Sequence, residues 1–384
     1  MICWGMRGKK DPQTSMVALI SMESLVREDH PLRAIKPLAD EALRRLAPLF
    51  DKMYAETGRP SVPPERLLKG LLLMALFGVR SERMLCEQVA YNMLFRWFLD
   101  MTMTEEPFDA SVYSKNRERF LEHDLGAKFL AAVVEQAREA GLLSSDHFSV
   151  DGTMIEAWGS AKSFRPKEDD SGDNNGFGDF RGKPRSNDTH ESKTDPDAKL
   201  WRKGKGREAK LSHMGHVLME NRHGLVVDAD VTAASGHAER EAALAMLDRE
   251  RERRERTARK KKRKERRKQQ RRNRKGRRIT LAADKAYDTR DFANACRERN
   301  VTPHVAQNIH RRRTSAIDRR TTRSVGYGMS HKARLLIEKI FGWMKAAGGA
   351  RRSRFRGRER TRFATLVVAA AYDLLRISKF RLAA

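Results

Sequence analysis

The chain has 384 residues, 39% of them hydrophobic, and a formal charge of +28 from 79 Lys and Arg against 51 Asp and Glu. That is apolar material enough for a buried core, which excludes a tail or linker, and the charge calls for a polyanionic partner, nucleic acid first. No apolar run reaches the roughly 18 residues of a membrane span and no signal-peptide pattern opens the chain, so a soluble cytoplasmic protein with no membrane partner is expected. Cys3, Cys86 and Cys296 form no CxxC pair, against both a disulfide framework and a structural zinc site.

The first third reads as helical. Pro63 and Pro64 open a helix whose Leu67, Leu68, Leu71, Leu72 and Ala75 recur at helical spacing until Gly78 stops it. Met84, Leu85, Val89, Met93, Leu94, Trp97 and Phe98 mark a second amphipathic segment, expected to pack on the first; such stripes read as core rather than as a cofactor box. Asp109 or Ser111 caps a shorter helix exposing Lys115, Arg117 and Arg119, and an apolar helix follows around 129–137. The three cations read equally well as DNA contacts and as a solvated helix face.

After Gly141 the pattern changes to strands. Residues 147–153 read as a strand ending in the step Asp151-Gly152, and the polar stretch 164–199 as a long mobile loop. The acidic run 169–173 is not a calcium loop, because Asn174 and Phe180 stand where Gly and Glu are required. Residues 214–219 and 225–232 make a hairpin around Asn221-Arg222-His223-Gly224, and a helix begins near His237. It runs into a basic tract, 249–278, with 20 Lys or Arg against 4 Glu and no large apolar residue to hold it to a core. The tract, with Lys260, Lys261 and Lys262 near its middle, reads as a phosphate-binding arm or as a solvated helix extension. Residues 278–284 form another strand ending in Asp; a helix at 290–299, a strand at 301–305 and helices at 332–347 and 361–377 follow.

Cutting a phosphodiester needs an attacking oxygen made more acidic and a leaving oxygen stabilised, which two Mg²⁺ ions on carboxylate oxygens supply. Asp151 and Asp284 each end a β-rich run, and their separation, 284 − 151 = 133 residues, puts them on different strands. On the helix at 332–347, at about 100° per residue from Arg334, Glu338 lies at about 40°, Lys345 at about 20° and His331 at about 60°. Ile337, Ile340, Phe341 and Met344 fall between about 240° and 340°. One acid thus shares a polar stripe with cations opposite an apolar face. A metal ligand beside bound phosphate would look so, and so would an Arg334 to Glu338 ion pair on a solvated face. Asp151-Gly152 is also compatible with a turn, and Asp284 with a helix cap.

Together these residues resemble transposases of the insertion sequence 5 family, with the Asp-Asp-Glu catalytic set. The matching pieces are Ser149-Val150-Asp151-Gly152-Thr153, Ala283-Asp284-Lys285-Ala286-Tyr287-Asp288, and Arg334-x3-Glu338-x6-Lys345 enclosing Phe341-Gly342-Trp343. The resemblance covers most of the chain, including 22–137 and 210–231. It implies an α/β fold, a ribonuclease-H-like mixed sheet flanked by helices, preceded by an all-helical DNA-binding domain at 17–138. The catalytic domain would span 141–380, with a flexible loop at 164–199 and a basic insertion at 249–278.

The resemblance further implies Asp151, Asp284 and Glu338 as ligands of two Mg²⁺ ions, with Mn²⁺ as a substitute. Arg334 and Lys345 would position DNA phosphate, and Tyr287 would stand beside the second aspartate. His331 departs from the family, which has Tyr three residues before the Arg; it stays polar on the same stripe and is kept among the DNA contacts with Lys115, Arg117, Arg119, Lys260, Lys261 and Lys262. The implied activity is cleavage and joining at insertion-sequence ends. The implied partner is double-stranded DNA, both terminal inverted repeats and target, on which a homodimer or higher assembly forms in the bacterial nucleoid. Two rival readings remain: a noncatalytic DNA- or RNA-binding protein with structural acids, and a nuclease using the same metal site without strand transfer.

Overall fold

The computed structural model describes residues 21–55, 58, 60–167, 186–202, 204, 206–265, 279–309 and 314–382, without the side chains of 258–265. Helices come first: α1 (Met22–Leu25), α2 (Pro31–Met53), α3 (Pro64–Phe77), α4 (Glu82–Tyr91), α5 (Met93–Phe98), α6 (Ser111–Glu122) and α7 (Leu125–Glu139). Pro64 opens α3 and Gly78 closes it at φ 65°, a left-handed cap that costs glycine little. The apolar segment expected at 84–98 is two helices, because Asn92 accepts a hydrogen bond from Phe95 N at 3.2 Å and so starts α5.

The sheet holds β1 (His147–Glu156), β4 (Lys199–Trp201), β5 (Lys210–Glu220), β6 (Val226–Ala233), β7 (Ile279–Ala283) and β8 (Val301–Val305), and β2 (Phe164–Pro166) and β3 (His190–Ser192) make a separate pair. The order is β4-β5-β1-β7-β8, with β6 also on β5. β5 is antiparallel to β1, β4 and β6, whereas β7 runs parallel to both β1 and β8. A long helix, α8 (Ala238–Glu265), follows β6 and packs on β5, β6 and β1; α9 (Arg290–Glu298) joins β7 to β8, the crossover two parallel strands require. Then come α10 (Arg319–Thr322), α11 (Val325–Arg334), α12 (Leu336–Ala346) and α13 (Arg358–Leu382). This is a mixed α/β architecture with a helical amino-terminal part.

α13 joins the two parts. Its Val367, Val368, Ala369, Ala370 and Ala371 are buried as the sequence suggests, and it packs on α2, α3 and α7 and on β5 and β6. Its Asp373 accepts a hydrogen bond from Val226 N at 2.9 Å, and burial holds that carboxyl well above the usual range. One continuous apolar cluster runs from Val26 to Ile377.

Four expectations are corrected. β1 does not end at Asp151 but continues to Glu156, with Gly152 opposite His216 of β5, so Asp151-Gly152 is mid-strand and not a turn. The stretch 164–199 holds β2, β3 and β4 rather than one loop; Phe164 stacks on His190 at 5.5 Å and buried Asp195 meets His213 at 3.2 Å. Polar pairing does there what apolar residues do elsewhere, so hydropathy alone could not show it; 168–185 lie outside the described residues. The helix expected at 332–347 is two, α11 and α12, meeting at Leu335. Finally, the start of the basic tract is held to the sheet by ion pairs. Arg249 reaches Asp228 at 2.7 Å and Asp230 at 2.9 Å, Arg253 reaches Asp228 at 2.9 Å, and Arg254 lies over the Phe148 ring.

Candidate active site

The parallel register aligns the two aspartates. Ser149 pairs with Ala282 as the last aligned pair of β1 and β7, and Asp151 and Asp284 each follow two residues further, Asp284 just past the end of β7. Asp284 directs its Oδ1 at Ala286 N (2.8 Å), capping the 3₁₀ turn Lys285–Tyr287. That is the cap the sequence allowed as an alternative, and it also fixes the carboxylate at the strand end.

α11 and α12 cross β1 at their junction, so that Arg334, the last residue of α11, puts Nη1 3.3 Å from Asp151 Oδ2. Glu338 is in the first turn of α12, exposed, while Ile337, Ile340 and Met344 face the core as the helical spacing requires. The Asp151 carboxyl is pushed up to about 6, chiefly by burial; the Gly152 amide at 2.8 Å and Arg334 work against this, and Asp284 and Glu338 add to it. Two acids far from it in sequence therefore bear on Asp151.

Sequence reasoning missed a fourth acid. Glu239, in the first turn of α8, lies against β1 where Gly152 has no side chain: a Cβ there would come within 2.6 Å of Glu239 Oε1. Burial first, then Asp284 and Asp151, push its carboxyl up to about 7, with Arg240 opposing. The one signal was the mid-strand glycine, which marks a close approach. Tyr287 is fully buried, its hydroxyl raised by burial and then by Glu239, Asp151 and Asp284.

The other candidates are spread more widely. His331 packs edge-on against Tyr327 at 4.3 Å, its imidazole pKa lowered by burial and by Arg334. Lys345 borders a small cavity with Thr153, Gly215 and His216, further along β1. Lys115 is exposed, but Arg117 and Arg119 are only half-exposed, contrary to the expected open helix face. Arg117 pairs with Glu82 at 2.6 Å and lies over Phe355, and Arg119 lies over Tyr54. The side chains of Lys260, Lys261 and Lys262 lie outside the described residues, as does Cys3; Cys86 and Cys296 are unpaired.

In donor chemistry the acids fit a divalent cation, being hard oxygens around a half-buried anion. Among the described residues no three His, Cys, Asp or Glu side chains are drawn close enough to clasp an ion as they stand, and Arg334 occupies one oxygen of Asp151. Nor is any described helix long and apolar enough to cross a membrane.

The model of the transposase DDE domain matches residues 143–374, more than half of the chain. The chain belongs to that family. A second transposase model, the transposase domain DUF772, matches 20–119, the helical part of this transposase. Its setting is DNA transposition and insertion sequences, its activity is cutting and transfer of DNA strands, and domains of its type generally use divalent metal ions.

No curated protein matches. Among solved structures, a piggyBac transposase synaptic complex with hairpin DNA is 9% identical, with a TM-score of 0.38 over 92% of this chain and 76% of the other. A pre-cleavage Mos1 transpososome is 12% identical with a TM-score of 0.20, and a Mos1 paired-end complex with the left transposon end 11% with 0.19; each covers 86% of this chain and 81% of its own. At these scores the likeness decides neither fold detail nor function.

Proposed function

We propose that the protein is a transposase of the insertion sequence 5 type, which cleaves and joins phosphodiester bonds at insertion-sequence ends with Asp151, Asp284 and Glu338 on a ribonuclease-H-like sheet. The observation that supports this reading is the register of β1 and β7, in which both aspartates follow the last aligned pair by two residues, together with the Arg334 contact to Asp151 and the influence of Asp284 and Glu338 on it.

Asp151 between the other two acids would contribute to both of two Mg²⁺ sites, Asp284 to one and Glu338 to the other, with Mn²⁺ as a substitute. Bound there, the ions would make the attacking oxygen more acidic and stabilise the leaving one. Arg334, released from Asp151, would turn its guanidinium to a backbone phosphate, a fork-shaped donor suited to that anion. Lys345, in the last turn of α12 and near Thr153 of β1, would hold a second phosphate as a point charge. No protonatable base is needed, so His331 is assigned to orienting DNA beside Arg334.

The helices within 17–138 are assigned to the terminal inverted repeats, with Lys115 the most accessible of their three candidate contacts, and the sheet and later helices within 141–380 to catalysis. Lys260, Lys261 and Lys262 are assigned to phosphates of double-stranded DNA, end or target, on which at least two protomers assemble in the bacterial cytoplasm. Strand nicking of an end-containing duplex in Mg²⁺ tests the catalytic assignment. Asp284→Asn should abolish nicking, and cleavage at the native rate by that variant would defeat the assignment.

A further inference from the structure

The fourth acid has no part in the three-carboxylate set. A glutamate in the first turn of a helix ordinarily serves the helix dipole, and Glu241 in the same turn of α8 does that from an exposed position. Glu239 is different because it is half-buried against the sheet, and β1 gives up a side chain at Gly152 to admit it. No described residue donates a hydrogen bond to its carboxylate.

Two further contacts fix this arrangement. Arg240 Nη1 donates to Ala286 O at 3.1 Å and Nη2 to Gly236 O at 3.0 Å, strapping the start of α8 to the turn that follows Asp284. Beneath that strap lies Tyr287, with no exposed surface and with a hydroxyl that has no hydrogen-bond partner among the described residues. The charges that bear on that hydroxyl are Glu239, Asp151 and Asp284. Three hard anions that bear on one another and on a buried, unpartnered hydroxyl suit a cation site, not a helix cap.

We infer that Glu239 is a fourth carboxylate of the metal site, binding a divalent cation together with Asp151 and Asp284. This rests on the assignment of Asp151 and Asp284 above. Glu239 comes from the first turn of α8 and Glu338 from the first turn of α12, so the set draws on two helices.

The test is Mn²⁺ binding to the full chain without DNA, followed by the paramagnetic resonance of the free ion. Glu239→Gln should weaken binding by about tenfold or more, as loss of a metal-orienting group does, while Glu241→Gln binds like the native chain. A folded Glu239→Gln variant with native affinity, beside an Asp284→Asn variant that has lost affinity, overturns the role of Glu239 alone. Native affinity in Asp284→Asn as well would remove the metal site itself, and this inference with it. A second measurement needs no variant: Fe²⁺ with ascorbate and peroxide should cut the native backbone at 236–240 as well as beside Asp151 and Asp284. Cuts at the two aspartates without one at 236–240 would overturn the inference.

Discussion

Carboxylates crowd together at two places in this molecule, and they are treated in opposite ways. In the helical part, Asp40 and Asp100 flank Lys69, which is 1% exposed, and Lys36 reaches both acids from outside. Burial alone would raise Asp100, yet hydrogen bonds from Lys36 and Lys69 bring it below its ordinary value. On the central strand β1 and at the start of α8, Asp151 and Glu239 are pushed up to about 6 and about 7 by burial and by acid neighbours, and Arg334 meets only one of them. Acids that are matched by cations hold the fold together. Acids set against one another oppose folding, so under the proposed function the electrostatic imbalance marks the site better than the net charge does.

Substitution separates the two clusters most strongly through activity. Asp151→Asn should lower strand nicking by about 10³-fold or more, the scale of losing a principal transition-state electrostatic group, and the melting temperature should not fall. Lys69→Ala should do the reverse. It leaves Asp40 and Asp100 without their buried cation and should cost about 3 kcal/mol in urea unfolding, with nicking by the folded fraction unchanged. If Asp151→Asn destabilised the protein as much as Lys69→Ala, the distinction between structural and working acids would collapse.

These differences also show what was legible in sequence. Asp151 and Asp284 stood out because each lies at or near the end of an apolar run, and the wheel assigned Ile337, Ile340 and Met344 to the core correctly although the helix breaks at Leu335. Glu239 did not stand out, because its nearness to Asp151 arises from the β6–α8 connection and leaves only a glycine in β1 as its trace. The strands within 164–199 were hidden for a related reason: their burial rests on Phe164, Ala198 and hydroxyl pairs such as Ser163 with Ser192 at 2.7 Å, which no hydrophobic period records.

A smaller effect follows from His304, on the edge strand β8. Burial first, then His331 and His147, push its imidazole down to about 4 from 6.5, and its Nδ1 is 2.8 Å from Ser330 Oγ. A depressed histidine contributes stability that is present above the unfolded pKa and is lost as pH falls through the folded one. Between pH 6.5 and 4 the chain should therefore lose about 2 kcal/mol through this group, and His304→Asn should flatten that part of the profile. An equally steep loss in the variant would show that acid sensitivity comes from elsewhere.

The finest distinction lies within the basic tract, whose start mixes Arg with Glu and is paired to the sheet, and whose middle is almost wholly cationic. Arg249 is spent on Asp228 and Asp230 and Arg253 on Asp228, so their charge is already neutralised by the sheet. Arg249→Ala should cost about 1 kcal/mol of stability and leave the salt dependence of DNA binding as it was. Lys260, Lys261 and Lys262 lie beyond those acids in the chain; replacing all three by Ala should reduce the log-log salt slope by up to about 0.9 for each phosphate they neutralise and leave the melting temperature unchanged. The same slope in both variants would mean that charge along this helix is read by total amount. A loss confined to the lysine variant would mean that DNA contact begins only where the carboxylates of β6 end, because a cation paired within the fold has no counterions left to exchange with a phosphate.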